Sequence, residues 1–294
     1  MSNKTPNLFI LGAPKCGTTT LAAWLAKHPK IYFSPEKEPH YFYSPYDRVM
    51  SDEAYAKLFA EAPEDAKYLA EASVWYLFGG VAVPQILEVS PESRFIVCLR
   101  NPVQMAPSLH AQTLYVGREL LDNFEEAWNV SDRRYAGEHI GVFGFNEGDP
   151  ACMAYKQACM LGEQVENLLQ QVDRRRVLFV LLDDLSATPK KSWLKVQEFL
   201  NLPYVSLSLD IENKAKYRKF LFLQRVTLFV QNVKRRLGIR KRFGLLAFFN
   251  NRNIVQGRYP EPAEEIKALM RREFSGDVQK LSRLIGRDLS QWVG

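Results

Sequence analysis

Directly after the apolar run Leu8-Phe9-Ile10-Leu11 the chain reads Gly12-Ala13-Pro14-Lys15-Cys16-Gly17-Thr18-Thr19-Thr20. A lysine, three hydroxyls and the unpaired amides of a helix start, set around two glycines, form a receptacle for a phosphate group. The spacing restricts which phosphate chemistry fits. A Walker loop, G-x-x-x-x-G-K-[ST], carries its lysine directly after the second glycine. Gly12 and Gly17 meet that spacing, but Thr18 holds the lysine's place and Lys15 comes earlier. Thr19 still stands where a magnesium-binding hydroxyl would be.

Three other groupings could do chemistry. In Ser34-Pro35-Glu36-Lys37-Glu38-Pro39-His40 the prolines forbid a regular helix and favour an extended loop. A carboxylate and an imidazole two residues apart in extended chain face the same way, so Glu38 and His40 form a candidate proton-transfer pair. The second grouping is Arg100-Asn101-Pro102 with Ser108 eight residues after the arginine. A guanidinium grips a phosphate bidentately, and a serine one turn into a following helix adds a hydroxyl donor. The third is Asp183-Asp184, which ends an apolar run as a magnesium-binding strand would, or simply caps the next turn.

These residues need elements to hold them. Leu8–Leu11, Arg94–Arg100 and Arg176–Leu182 read as short buried strands of the kind found in parallel sheets. Thr18 begins a helix with Leu21, Trp24 and Leu25 on one face, capped by Thr18 or Thr19 and ended by Pro29. Ser51–Ala60, Tyr155–Val172, Trp193–Leu200 and Ile266–Leu284 also read as helices, and Phe124, Ala127 and Trp128 keep a core stripe. Strands alternating with helices predict an α/β chain with a central parallel sheet flanked by helices, in a P-loop-like three-layer fold. Ligands belong at the carboxyl ends of its strands, where Gly12 and Arg100 both fall.

The 294 residues, 47% hydrophobic, suit a single domain over 1–294 with a sizeable core. No run reaches the roughly 18 apolar residues of a membrane span, and only Met1–Asn7 precede the first strand. Cys16, Cys98, Cys152 and Cys159 fit no metal spacing and read as reduced thiols, so a cytoplasmic location is expected. The net charge of +6 is uneven: residues 214–258 hold thirteen Lys or Arg and no Asp or Glu, against 26 basic and 33 acidic elsewhere. Phe222, Val226, Phe229, Val230, Val233 and Leu237 recur there at helical spacing, opposite Arg225, Lys234 and Arg235. Such a helix either docks on the core with a basic outer face or meets a membrane surface or acidic glycan through residues 214–242.

The first loop, P-K-x-G-T-[ST]-x-L, resembles the 5′-phosphosulfate loop of sulfotransferases that use 3′-phosphoadenosine 5′-phosphosulfate (PAPS). Lys37–Phe42 matches their K-E-x-H-[FY]-F element, and Arg100 with Ser108 matches R-[DN]-P-x-x-x-x-x-S. Glu71-Ala72-Ser73 resembles E-[KA]-[ST]-x-x-Y, with Ala72 where some glycan members place a substrate lysine. Gln256-Gly257-Arg258-Tyr259-Pro260 partly matches a G-R-x-P clamp, with Gln256 in place of the usual lysine. The resemblance spans Asn7 to Trp292 and is closest to bacterial and heparan-sulfate-type glycan members.

It implies sulfuryl transfer by in-line displacement to a hydroxyl, less readily an amine, of a glycan, glycolipid or small molecule. Glu38 would be the base, His40 its orienting partner and Lys15 the cation at the leaving phosphate. Pro14 through Thr20, Arg100, Ser108, Gly257, Arg258 and Tyr259 would hold PAPS and then its product, adenosine 3′,5′-bisphosphate. No metal and no nucleic acid is implied. Gly137–Gly148 would cover the acceptor. Two other readings stay open: a P-loop kinase or NTPase using Thr19 and Asp183, and a non-catalytic binder of acidic polymers through the basic segment.

Overall fold

The structure, a computed structural model, describes residues 4–44, 50–142, 149–209 and 260–294, with the backbone of 216–218 and 254–256. Five strands form its sheet: β1 (Leu8–Gly12), β2 (Ile31–Phe33), β3 (Tyr68–Ala72), β4 (Arg94–Leu99) and β5 (Val177–Leu181). Their order is β2-β3-β1-β4-β5 and every pairing is parallel. β1 is central and all five of its residues are buried, which is why it reads as unbroken apolar sequence. Phe9 stacks on Phe95 of β4 at 6.0 Å and meets Phe42 edge-on at 5.9 Å.

Helices connect the strands: α1 (Thr18–Leu25), α2 (Asp52–Lys57), α3 (Ala82–Val89) and α4 (Pro102–Val116) come before or directly after β4. Then follow α5 (Phe124–Asn129), α6 (Ser131–Tyr135), α7 (Tyr155–Ala158) and α8 (Leu161–Gln171). After β5 come α9 (Leu182–Ala187), α10 (Pro189–Phe199) and α11 (Glu264–Ile285). The expected P-loop-like α/β class, a parallel sheet flanked by helices, is what is found.

The chain divides into two compact units. One comprises Met1–Met105, Ala158–Asn213 and Ala268–Gly294, and holds the whole sheet. The other comprises Ala106–Gln157 and Lys214–Lys267. In it β6 (Lys216–Arg218) pairs antiparallel with β7 (Ile254–Gln256). The amphipathic basic stretch from Phe222 to Leu237, the tip 143–148, and Gly257, Arg258 and Tyr259 lie outside the described residues.

Several local expectations need correction. Neither Thr18 nor Thr19 caps α1: the cap position is Gly17, at φ 89°, with no side-chain bond. The expected helix 155–172 is two helices, because α8 is started afresh by a carboxylate distant in sequence. Asp277 of α11 accepts from the amides of Gly162 (2.8 Å) and Glu163 (2.9 Å), as an N-cap would. Helix α10 begins four residues early because Pro189 is set at its first turn. Ser108 sits nearer two turns than one into α4.

Candidate functional site

The loop from Gly12 to Gly17 leaves β1 by a route open only to glycine. Gly12 has φ +139°, and a Cβ there would lie 2.3 Å from the carbonyl oxygen of Val74. Gly17 is constrained by its backbone, at φ +89°, and a Cβ there would also press to 2.9 Å on the end of the Leu182 side chain. Because no side chain caps α1, the amides of Gly17, Thr18 and Thr19 have no partner among the described residues. They converge at the positive end of the helix dipole, a site for an anion. Pro14 and Cys16 are buried here; the Cys16 thiol turns inward, 3.6 Å from Met105 Sδ, so it contributes only backbone. Burial pushes that thiol up to about 12.

Lys15 stands at the loop tip with a left-handed backbone, φ 64°. Burial lowers its ammonium pKa, and the positive charges of Arg100 and Lys37 lower it further, against the pull of Glu38. Arg100, just beyond β4, donates from Nη1 to the Lys15 carbonyl at 3.2 Å, tying the end of β4 to the loop after β1.

Glu38 and His40 are not in extended backbone. Their φ angles are 55° and 51°, so both are left-handed. The side chains nevertheless meet: His40 Nε2 lies 3.4 Å from Glu38 Oε2. Burial alone would raise the Glu38 pKa, but the bond from His40 and the charge of Lys37 outweigh it and hold the carboxyl below its usual range. Of the four non-glycine residues with positive φ among those described, three are Lys15, Glu38 and His40. Such backbone costs of order 1–3 kcal/mol each and persists where surrounding structure enforces it.

Lys37 is the residue that sequence reading passed over. Its Nζ donates to Thr19 Oγ1 at 2.5 Å and lies 3.4 Å from Glu38 Oε1. It joins the Gly12–Gly17 loop to the loop of Glu38 and His40, and its place in K-E-x-H was the available signal. A second missed group lies beneath: Glu71 of β3, fully buried, accepts from Tyr55 (2.7 Å), Ser73 (2.9 Å) and Tyr76 (3.2 Å). Burial pushes Glu71 up to about 7, while these three hydroxyls hold it back.

The remaining sequence candidates lie in helices. Ser108 lies in α4 in the second unit, and Thr18 and Thr20 are buried in the first turn of α1. Asp183 and Asp184 sit in the first turn of α9, where Asp184 is bonded by Arg287. Its carboxylate is therefore taken up by that ion pair, and no side chain caps the helix.

The sulfotransferase domain family matches residues 5–220. Heparan sulfate glucosamine 3-O-sulfotransferase 6 of Mus musculus is 30% identical over 200 residues, covering 68% of this chain and 53% of the relative. Carbohydrate sulfotransferase 15 of Homo sapiens is 25% identical over 248 residues, covering 67% and 44% respectively. The chain thus spans about half the length of these relatives. The crystal structure of a sulfotransferase from Alicyclobacillus acidocaldarius superposes with a TM-score of 0.70 at 25% identity, covering 98% of this chain and 99% of that one. A match to the family over most of its length shows that the chain belongs to the sulfotransferase family.

Proposed function

We propose that the protein transfers the sulfuryl group of PAPS to a hydroxyl of a glycan-type acceptor, with Glu38 as the base. The observation that carries this reading is the bridge made by Lys37, which brings the anion-binding loop and the Glu38–His40 pair into one site. The residues fit the donor. Lys15 and the amides of Gly17, Thr18 and Thr19 would hold the phosphosulfate end and Arg100 the 3′-phosphate, for which Ser108 is proposed on sequence grounds. Arg258 and its neighbours Gly257 and Tyr259 are proposed for the same nucleotide on sequence grounds. When bound, PAPS supplies an electrophilic sulfuryl group on a phosphate leaving group.

The chain's own residues then have separate tasks. Glu38, held ionised by His40 and Lys37, accepts the proton of the acceptor hydroxyl at a carboxylate oxygen. His40 fixes the direction of that carboxylate. Lys15 and the loop amides meet negative charge as it grows on the phosphate side. The acceptor is proposed as a glycan hydroxyl because the relatives' names specify heparan sulfate glucosamine and carbohydrate.

Glu38→Gln tests the reading, since it keeps shape and loses the base. Turnover of PAPS with de-O-sulfated heparan sulfate should fall roughly 10²- to 10⁴-fold, with calorimetric affinity for adenosine 3′,5′-bisphosphate nearly unchanged. Full turnover in this variant would place the base elsewhere. An unchanged Glu38→Gln together with lost glycan binding on neutralising Lys234, Arg235 and Lys241 would instead favour a polymer-binding role.

A further inference from the structure

The loop that carries Glu38 and His40 runs along the end of β3 and is fastened to it repeatedly. Ser34 N donates to Ala70 O (2.8 Å) and Glu38 N to Ala72 O (3.1 Å). Beyond Glu38 the fastening changes from backbone to side chain. His40 N donates to Ser73 Oγ and Phe42 N to Tyr76 OH, both at 3.1 Å. A hydroxyl can accept from an amide in a fixed direction only if its own proton is committed elsewhere. Both protons are committed to the same group: Ser73 donates to Glu71 Oε2 and Tyr76 to Glu71 Oε1, where Tyr55 of α2 also donates.

An ionised carboxylate only accepts, so above about pH 7, where Glu71 is ionised, it sets the polarity of the whole arrangement. Protons point down toward Glu71, and lone pairs point up toward the loop amides. Glu71 and Ser73 are sealed from solvent, so no water competes for either hydroxyl. The aromatic shell is equally closed: Phe42 meets Tyr55 at 5.5 Å and Tyr76 at 5.8 Å. This support lies under a backbone held at φ 55° and 51°, which needs an outside restraint to persist.

We propose that Glu71 is a positioning residue for sulfuryl transfer: through Ser73 and Tyr76 it locks the left-handed loop that aims Glu38 and His40. The proposal rests on the reading of Glu38 as the base. Glu71 touches neither donor nor acceptor. A glutamine there would present an N–H to Ser73, leaving the serine proton without its acceptor and freeing the His40 anchor.

The experiment measures kcat and KM for PAPS, read as release of adenosine 3′,5′-bisphosphate with de-O-sulfated heparan sulfate present. Glu71→Gln should lower kcat roughly 10- to 100-fold, the scale of a misplacement near 1 Å. KM for PAPS and calorimetric affinity for adenosine 3′,5′-bisphosphate should stay within about twofold, because the Gly12–Thr19 loop is untouched. Ser73→Ala should reproduce the kcat loss and Ser73→Thr, which restores a hydroxyl, should recover it. The Glu71→Gln/Ser73→Ala double variant should fall well short of the product of the two losses.

Unchanged kcat in Glu71→Gln, or losses that simply multiply, overturns the proposal. If Glu71→Gln does not fold, the contrast between Ser73→Ala and Ser73→Thr decides, and equal kcat in those two overturns it. Glu38→Gln is run in parallel. Its full activity would refute the base, whereas an inactive Glu38→Gln beside a fully active Ser73→Ala would refute only the role of Glu71.

Discussion

Glu119 and Glu71 are both sealed from solvent, at 2% and 0% exposure, yet their surroundings differ in kind. Glu119 is gripped by Arg134, which is itself fully buried, through Nη1–Oε2 at 2.7 Å and Nη2–Oε1 at 2.9 Å. Tyr155 donates to it at 2.7 Å and Leu121 N at 2.8 Å, and the guanidinium also reaches the carbonyls of Ile140 and Met153. That charge is cancelled where it lies. Among the described residues Glu71 has hydroxyls but no cation, and burial raises its pKa to about 7. A paired buried carboxylate serves as a rivet for its unit. An unpaired one, directly under the proposed site, is kept at a cost in stability that points to use.

The largest effect should come from breaking the pair. Arg134→Met would strand Glu119 without its cation, and stability in urea should drop by about 3–5 kcal/mol. A loss below about 1 kcal/mol would mean that hydroxyl and amide bonds alone satisfy Glu119, and the contrast would vanish.

The next effect is a dependence on pH that belongs to Glu71 alone. Between the ordinary 4.5 and about 7 the folded chain keeps a proton on Glu71 that the unfolded chain releases. Stability from this group is therefore complete below about 4.5, declines as pH rises, and is gone above about 7, a change of roughly 3 kcal/mol. From acid to neutral pH the unfolding free energy of the native protein should fall by that amount relative to Glu71→Gln. A constant difference between them would show that Glu71 is ionised throughout.

The smallest effect sharpens the other side. Arg133, next to Arg134 in sequence, pairs with Glu138 at 2.5 Å, but both side chains are largely exposed. Arg133→Ala should leave urea stability unchanged within error, because water and salt already screen that pair. A loss comparable to Arg134→Met would mean that burial is not what separates these arginines.

The sequence made legible whatever is local. Gly12, Lys15 and Gly17 announce their loop because strand, turn and helix follow within a dozen residues, and Glu38 with His40 stand in a proline-marked segment. Arg94–Leu99 reads as a buried strand for the same reason. What stayed hidden depends on distant partners. Nothing near Leu161 shows that Asp277 will restart a helix there. Nothing near Glu71 shows that its serine and tyrosine neighbours will hold residues 40 and 42. The left-handed angles at Glu38 and His40 escape sequence reading too, since they are uncommon outside glycine, for glutamate more than for histidine.

Those angles have a consequence for directed evolution. Glycine adopts a left-handed backbone freely, so at positions 15, 38 and 40 it is the residue that would relax the chain. A library screened only for heat resistance would therefore be drawn toward replacing the lysine, glutamate and histidine of the proposed site. Survivors would be sturdier and inert, an instance of robustness traded against activity. Engineering a durable form of this protein calls for selection on the proposed sulfuryl transfer at every round.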